Sequence, residues 1–272
     1  MALERIDALL AGERTPAEVY EEFFVPALFQ EWAERVAGVA GLEPGQRVLD
    51  VACGTGVLAR AAEMRVAPGG KVVGLDPNED MLAVARRKSP QLEWRQGRAE
   101  WMPFDDESFD AVVSQFGMMF FEDSVAAIRE MTRVLRPGGQ LTVAVWDRLE
   151  NSPGYATLTT LLERLFGARV GDSMRAPYSL SDAAQLHELF RKAGYPDAQV
   201  TTLAGTVRFD SIEAMISTER ACVFTLGGLL DDEQFALLFR EAESALKPFV
   251  IADGSVQFAA PAHVATLTKM NN

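Results

Sequence analysis

The stretch Arg47-Val-Leu-Asp-Val-Ala-Cys-Gly-Thr-Gly56 constrains the fold more than any other part of the chain. A short apolar run, right for one buried strand, meets two glycines spaced by a single residue, and a helical pattern follows from about Gly56 to Met64. Glycine tolerates positive φ and lets the backbone approach a partner with no Cβ between them. A strand that turns through glycine directly into a helix opens a βαβ unit, and βαβ units build parallel sheets.

The alternation continues downstream. Strands are predicted at Lys71–Leu75, ending on Asp76, at Leu92–Gln96, at Phe109–Ser114 and at Gln140–Trp146. Helices fall between them, near 79–88 and 123–134, the second stopped by Arg136-Pro-Gly-Gly139. Past Asp147 the rhythm loosens into helices near 154–167, 181–193, 211–222 and 231–246, a loop through Pro177, and strands near 198–208 and 263–269. Ahead of the first strand, residues 2–11 and 16–40 carry apolar side chains at helical spacing, and Thr15-Pro16-Ala17-Glu18 has the form of a helix start. The expected fold is α/β: a Rossmann-like, mostly parallel seven-stranded sheet with helices on both faces, plus N-terminal helices and a helical lid.

Composition removes several classes of function. The 48% hydrophobic and 24% charged content is that of a globular chain. A net charge of −13 repels phosphate backbones, so nucleic acid is not expected as a partner. No run reaches the ~18 apolar residues of a bilayer span, and the acid-bearing start is unlike a targeting peptide, which makes a cytoplasmic protein the expectation. Cys53 and Cys222 suggest neither a disulfide framework nor a zinc site. Asp105-Asp106-Glu107 reads as a solvated turn, not a metal site, and Arg86-Arg87-Lys88 as the basic last turn of a helix.

The glycine turn must then be assigned a ligand. Gly54-Thr-Gly56-Val-Leu-Ala59 matches the dinucleotide pattern G-x-G-x-x-A, and Asp76 lies 20 residues beyond Gly56, which allows an NAD-dependent oxidoreductase. Three features oppose it. Asp50 stands beside the turn, where a carboxylate would repel a pyrophosphate and attract a cationic ligand. Residues 1–45 precede the first strand, whereas dinucleotide enzymes usually begin with it. Nothing downstream resembles a hydride-transfer domain.

Val48-Leu-Asp-Val-Ala-Cys-Gly-Thr-Gly56 and Gly74-Leu-Asp-Pro-Asn-Glu-Asp-Met-Leu82 resemble the first two motifs of class I S-adenosylmethionine (SAM)-dependent methyltransferases. Gly97–Asp110 and Leu135-Arg-Pro-Gly-Gly139 extend the resemblance in order, over roughly residues 19–147, to the methyltransferase type 11, ubiquinone/menaquinone-biosynthesis type. The resemblance implies SAM as cofactor, S-adenosylhomocysteine as product, and methyl transfer to an O, N or C nucleophile of a small molecule. It implies that backbone around Ala52, Gly54, Thr55 and Gly56 holds the methionine part, with Asp50 orienting its amino group. Asp76 would take both ribose hydroxyls, and Asn78 and Met81 would lie near the adenine. Ala99 and Glu100 would meet the adenine edge, Gln115 would offer its backbone carbonyl, and Tyr20 would cover the methionine. Arg98 departs from the family, which often places an acceptor there; arginine has none to offer, so either the backbone reads the adenine or Arg98 points outward.

On this reading residues 1–272 form one domain, with 1–45 a helical cover, 46–147 the SAM-binding core, and 150–180 and 210–255 insertions that make the lid and the acceptor pocket. The run Gln115–Phe121 reads equally as core packing or as an aromatic wall beside a sulfonium. His187 reads as a partly exposed helix residue; His263, Tyr155 and Tyr178 are further candidates to contact the acceptor or move a proton. The motifs assign no catalytic base, which keeps a SAM-binding protein without transferase activity as an alternative. Assembly, a homodimer included, is left open.

Overall fold

The computed structural model describes residues 14–222 and 225–270. The helix expected at 2–11 lies outside the described residues. Two compact units emerge: one joins Phe29–Asp147, Leu180–Leu203 and the segment from Ala262 onward; the other joins the chain through Leu28, Arg148–Ser179 and Ala204–Pro261.

The first unit is built on a seven-stranded sheet of order β3-β2-β1-β4-β5-β9-β6. Its strands are β1 (Arg47–Val51), β2 (Lys71–Asp76), β3 (Glu93–Gln96), β4 (Phe109–Gln115), β5 (Leu135–Trp146), β6 (Gln199–Leu203) and β9 (Ala262–Thr268). β1 through β5 pair in parallel, and β9 runs antiparallel between β5 and β6. Val48, Leu49 and Val51 of β1 and Val112 and Val113 of β4 are fully buried, as central parallel strands require. The strand order reverses between β1 and β4, and in such sheets ligands bind beyond the carboxyl ends of the strands at that point.

Helices in this unit have local causes. Asn78 caps Glu79–Lys88 and Asp123 caps Ser124–Val134 by accepting backbone N–H bonds, and Asp182 does the same for Ala183–Ala193. Between Gln30–Val39 and the sheet sits an aromatic core: Phe116 stacks on Trp146 with centroids 3.7 Å apart, and the fully buried Trp32 meets both edge-on.

Helix 16–40 proves to be α-helical only at its ends, Pro16–Val19 and Gln30–Val39, because Tyr20–Phe29 winds as a π-helix around Pro26. Proline lacks an N–H and crowds the preceding turn, and wider winding accommodates it. β5 starts at Leu135, earlier than expected. The Pro-Gly-Gly segment does end the helix, but it enters the strand as a bulge, with Gly138 at φ 81°: the register jumps from Phe109↔Leu135 to Ala111↔Gln140, and Gly138 N donates to Lys269 O while Lys269 N donates to Gly139 O.

The second unit holds a two-stranded antiparallel ribbon, β7 (Thr206–Phe209) with β8 (Val256–Ala259), and the helices Pro153–Phe166, Ala168–Arg175, Ile212–Ala221 and Asp232–Ala245. The single strand expected near 198–208 is thus two strands in different sheets, broken at Ala204-Gly205. β8 and Ala168–Arg175 had no sequence prediction. The segments 150–180 and 210–255 belong almost wholly to this unit.

Candidate cofactor site

Residues Ala52–Gly56 leave β1 in an unusual backbone. Ala52, Gly54 and Gly56 have φ of 57°, 54° and 89°, so the turn alternates through the left-handed region before the helix Val57–Val66 begins. A Cβ on Gly56 would lie 2.3 Å from the Trp94 ring, and one on Gly74 2.4 Å from the same ring. The indole of Trp94, anchored by Nε1 donating to Ser89 O at 3.0 Å, fills the room that both glycines leave. Sequence reasoning saw the glycines and missed the tryptophan, whose role becomes visible only when β1, β2 and β3 lie side by side.

Asp76 ties this turn to the next strand. Its Oδ2 accepts from Gly54 N at 2.8 Å and its Oδ1 from Asn78 N at 2.9 Å, and the residue is 7% exposed. Burial pushes its carboxyl above the usual range, and the two amides pull the other way. Each carboxylate oxygen keeps a lone pair beyond these bonds. Asn78 spends its side-chain oxygen on Asp80 N and Met81 N, its N–H on Asp76 and its carbonyl on Leu82 N, so its amide NH₂ is what remains for a ligand. Met81 is nearly buried.

Four buried polar atoms in and beside β1 and β4 have no hydrogen-bond partner among the described residues: Asp50 Oδ2, Thr55 Oγ1, Ser114 Oγ and Gln115 Oε1. The loops that follow β1 and β4 touch there. A Cβ on Gly117 would fall 2.5 Å from that of Ala52, and Phe116 takes φ of 53° while its N donates to Ala144 O. Gln115 is anchored by Nε2 donating to Phe29 O at 3.1 Å, which leaves its oxygen open. Buried polar atoms are rarely left unpaired without a functional reason. Two of these four can only accept, and the two hydroxyls can also accept. Burial holds the Asp50 carboxyl well above its usual range, and the nearby Asp76 adds to this, against the Ala59 amide and Arg60. An acceptor-rich pair of acids fits an ammonium and ribose hydroxyls; a pyrophosphate would add negative charge to it.

The remaining expected contacts are distributed as follows. Ala99 is buried after β3. Glu100 Oε1 accepts from Glu122 N at 2.8 Å; partial burial raises its carboxyl, but amides of its own residue, Glu122 and Asp123, with Arg98, bring it below its usual range. Its side chain therefore braces the loop after β4. Arg98 turns outward and pairs with Glu122 at 2.9 Å and Glu100 at 3.4 Å. Tyr20, half-buried and stacked on Phe24, falls in the second unit. In the run 115–121, Phe116 and Met118 are core, whereas Phe120 is exposed.

The other candidates have found partners. His187 Nε2 donates to Pro196 O at 3.1 Å. In the acidic turn, Asp106 pairs with Arg133 and Glu107 with Lys269. In the second unit Tyr155 donates to Glu219 Oε1 at 2.9 Å and Thr225 to Glu219 Oε2 at 2.7 Å. Full burial pushes the Glu219 carboxyl up to about 7, against the pull of Thr225 and Tyr155. Nothing in the sequence pattern singled out Glu219, which sits in the last turn of the helix Ile212–Ala221 without a motif.

Comparison with known proteins gives the family and the fold. A family model described as a methyltransferase domain matches residues 49–143. The chain is similar to the demethylmenaquinone methyltransferase of Staphylococcus carnosus (strain TM300), 32% identical over 194 residues that cover 65% of this chain and 78% of that one. The demethylmenaquinone methyltransferase of Staphylococcus aureus (strain JH9) is 31% identical over the same share of each. The fold matches phosphoethanolamine N-methyltransferase 2 of Haemonchus contortus in complex with SAM, with a TM-score of 0.61, 21% identity, and coverage of 97% of this chain and 60% of that one. A SAM-dependent methyltransferase from Aquifex aeolicus gives a TM-score of 0.51 and 19% identity over 71% of this chain and 93% of that one. The chain belongs to the class I SAM-dependent methyltransferases of the ubiquinone/menaquinone-biosynthesis type.

Proposed function

We propose that the small-molecule acceptor that this enzyme methylates at an O, N or C nucleophile is a demethylmenaquinone-like compound, as the name of its demethylmenaquinone methyltransferase relatives suggests. Bound SAM supplies a methyl group on a sulfonium. The protein's own share is binding and alignment, which can contribute roughly 7–11 kcal/mol when donor and nucleophile are held in line.

The observation that carries the reading of the site is the set of open acceptors on Asp50, Thr55, Ser114 and Gln115. Asp50 and the left-handed turn Ala52–Gly56 hold the methionine part, and the Gln115 carbonyl adds a further acceptor. Asp76 takes the ribose hydroxyls, Met81 offers an apolar face to the adenine with Asn78 beside it, and Ala99 and the backbone at Glu100 meet its edge. Tyr20 covers the methionine. Residues 150–180 and 210–255 supply the acceptor contacts and exclude water, and 1–272 works as a single functional domain in the cytoplasm. Nucleic acid is not a partner, in keeping with the net charge of −13. A homodimer is compatible with all of this.

Release of S-adenosylhomocysteine tests the acceptor class. Purified protein with SAM is offered a demethylated naphthoquinol, a simple phenol and phosphoethanolamine. Turnover with the naphthoquinol is expected; turnover with phosphoethanolamine alone would overturn the acceptor proposal. Tight SAM binding with no release from any acceptor would favour a SAM-binding protein.

A further inference from the structure

His263 lies near the start of β9 and is 5% exposed. Its Nε2 faces two groups that can only accept, the Ser181 carbonyl at 3.1 Å and Asp147 Oδ1 at 3.1 Å, so this nitrogen carries a proton. Nδ1 is hydrogen-bonded with the Thr202 hydroxyl at 2.8 Å. Both ends of the imidazole are occupied, and it has no free nitrogen with which to act as a base.

The partners gain meaning from the path of the chain. It leaves the sheet-bearing unit after Asp147, returns at Leu180, leaves again after Leu203 and returns at Ala262. Asp147 is the last residue before the first departure, and Ser181 is the second after the first return. Thr202 is the second from the next departure, and His263 the second after the last return. One side chain therefore joins four of the five points where the chain passes between units, the fifth being Leu28–Phe29. Sheet pairing alone links three of these points, through Trp146↔Ala262 and Leu203↔Ala262; Ser181 lies outside the strands and is held here by the ring.

We infer that His263 is a positioning residue for acceptor turnover: it clasps the four sheet-side points from which the segments 148–179 and 204–261 start and end. The effect on turnover rests on the proposal that those segments carry the acceptor contacts; the clasp itself does not.

Hydrogen exchange with mass spectrometry on the full chain tests the clasp without any acceptor. In His263→Ala, exchange is expected to rise about tenfold or more around residues 147, 181, 202 and 263, the equivalent of about 1.4 kcal/mol or roughly one hydrogen bond. β1, β2 and β4 should stay protected, and SAM affinity by calorimetry should move less than about threefold. His263→Gln, whose amide reaches the Nε2 position, should restore protection at 147 and 181 and leave 202 loose. With the naphthoquinol as acceptor, kcat/KM for the acceptor should fall about tenfold or more while the KM for SAM holds, as expected when alignment is lost and cofactor binding kept. Exchange that rises only around 263, or evenly across the sheet, would overturn the clasp. A parent enzyme silent toward the naphthoquinol would instead sink the acceptor proposal, and the exchange pattern would still decide the clasp. Should His263→Ala not fold, Thr202→Val removes one arm only; it must loosen the passage at Leu203 alone, and no change there counts against the inference.

Discussion

Replacing Asp76 by alanine separates cofactor binding from fold maintenance. In the folded protein its two oxygens accept from Gly54 N at 2.8 Å and Asn78 N at 2.9 Å. Alanine strands both amides, and a stranded buried donor costs about 1–3 kcal/mol. Removing a carboxylate that burial disfavours returns part of this, so a net stability loss of about 2–4 kcal/mol is expected. Loss of the hydrogen bonds to a charged acceptor should weaken SAM by a further 1.5–3 kcal/mol or so, roughly 10- to 150-fold in Kd. Asp76→Asn keeps one oxygen and strands one amide, so it should melt closer to the parent yet bind SAM nearly as poorly as alanine. The assays are thermal unfolding of the free protein and calorimetric titration with SAM and S-adenosylhomocysteine, well below each variant's Tm. An alanine variant that binds SAM within about twofold of the parent would refute the ribose role of Asp76.

Gly56→Ala combines a φ of 89° with a Cβ 2.3 Å from Trp94, and should destabilise by about 2–5 kcal/mol. Adding Trp94→Leu should recover part of that, a coupling of about 1 kcal/mol or more in denaturant melts, whereas strict additivity would discount the ring contact. Glu219 holds its proton up to about 7 when folded, against an ordinary value of 4.5. Its contribution to stability is thus complete below about pH 4.5 and is lost as pH rises through 7, by about 3 kcal/mol. Glu219→Gln should flatten that fall in Tm between pH 5 and 8, and an unchanged slope would show that another group sets it. Arg98→Ala should alter SAM affinity by less than about threefold, because the side chain pairs outward with Glu122; a larger calorimetric loss would return Arg98 to the adenine site.

The parallel core was legible because its central strands are short, largely apolar runs followed by a turn or an acid, as at Val48–Val51 and Val72–Asp76, while the edge strand Glu93–Gln96 alternates around the buried Trp94. The site residues at strand ends were legible for the same reason. Less regular parts escaped because their causes are not local. Tyr20–Phe29 reads as ordinary amphipathic helix until Pro26 is fitted into it. β7 and β8 each have four residues and form only by pairing with each other, so neither stands out alone. Trp94, Ser114 and Glu219 carry no motif; what makes each notable is what surrounds it, a pair of glycines, an open acceptor cluster, or two hydroxyls in a dry interior.

The placement of β9 between β5 and β6 has a consequence for biogenesis. β6 touches no other strand of the sheet, so it has nothing to pair with until synthesis has run through Thr268. Until then β5 offers an open edge of backbone donors and acceptors, which is the kind of surface that recruits foreign strands. A nascent chain would be most exposed to aggregation in that interval, and removal of residues 262–268 should yield insoluble protein even though every cofactor residue proposed above lies far upstream.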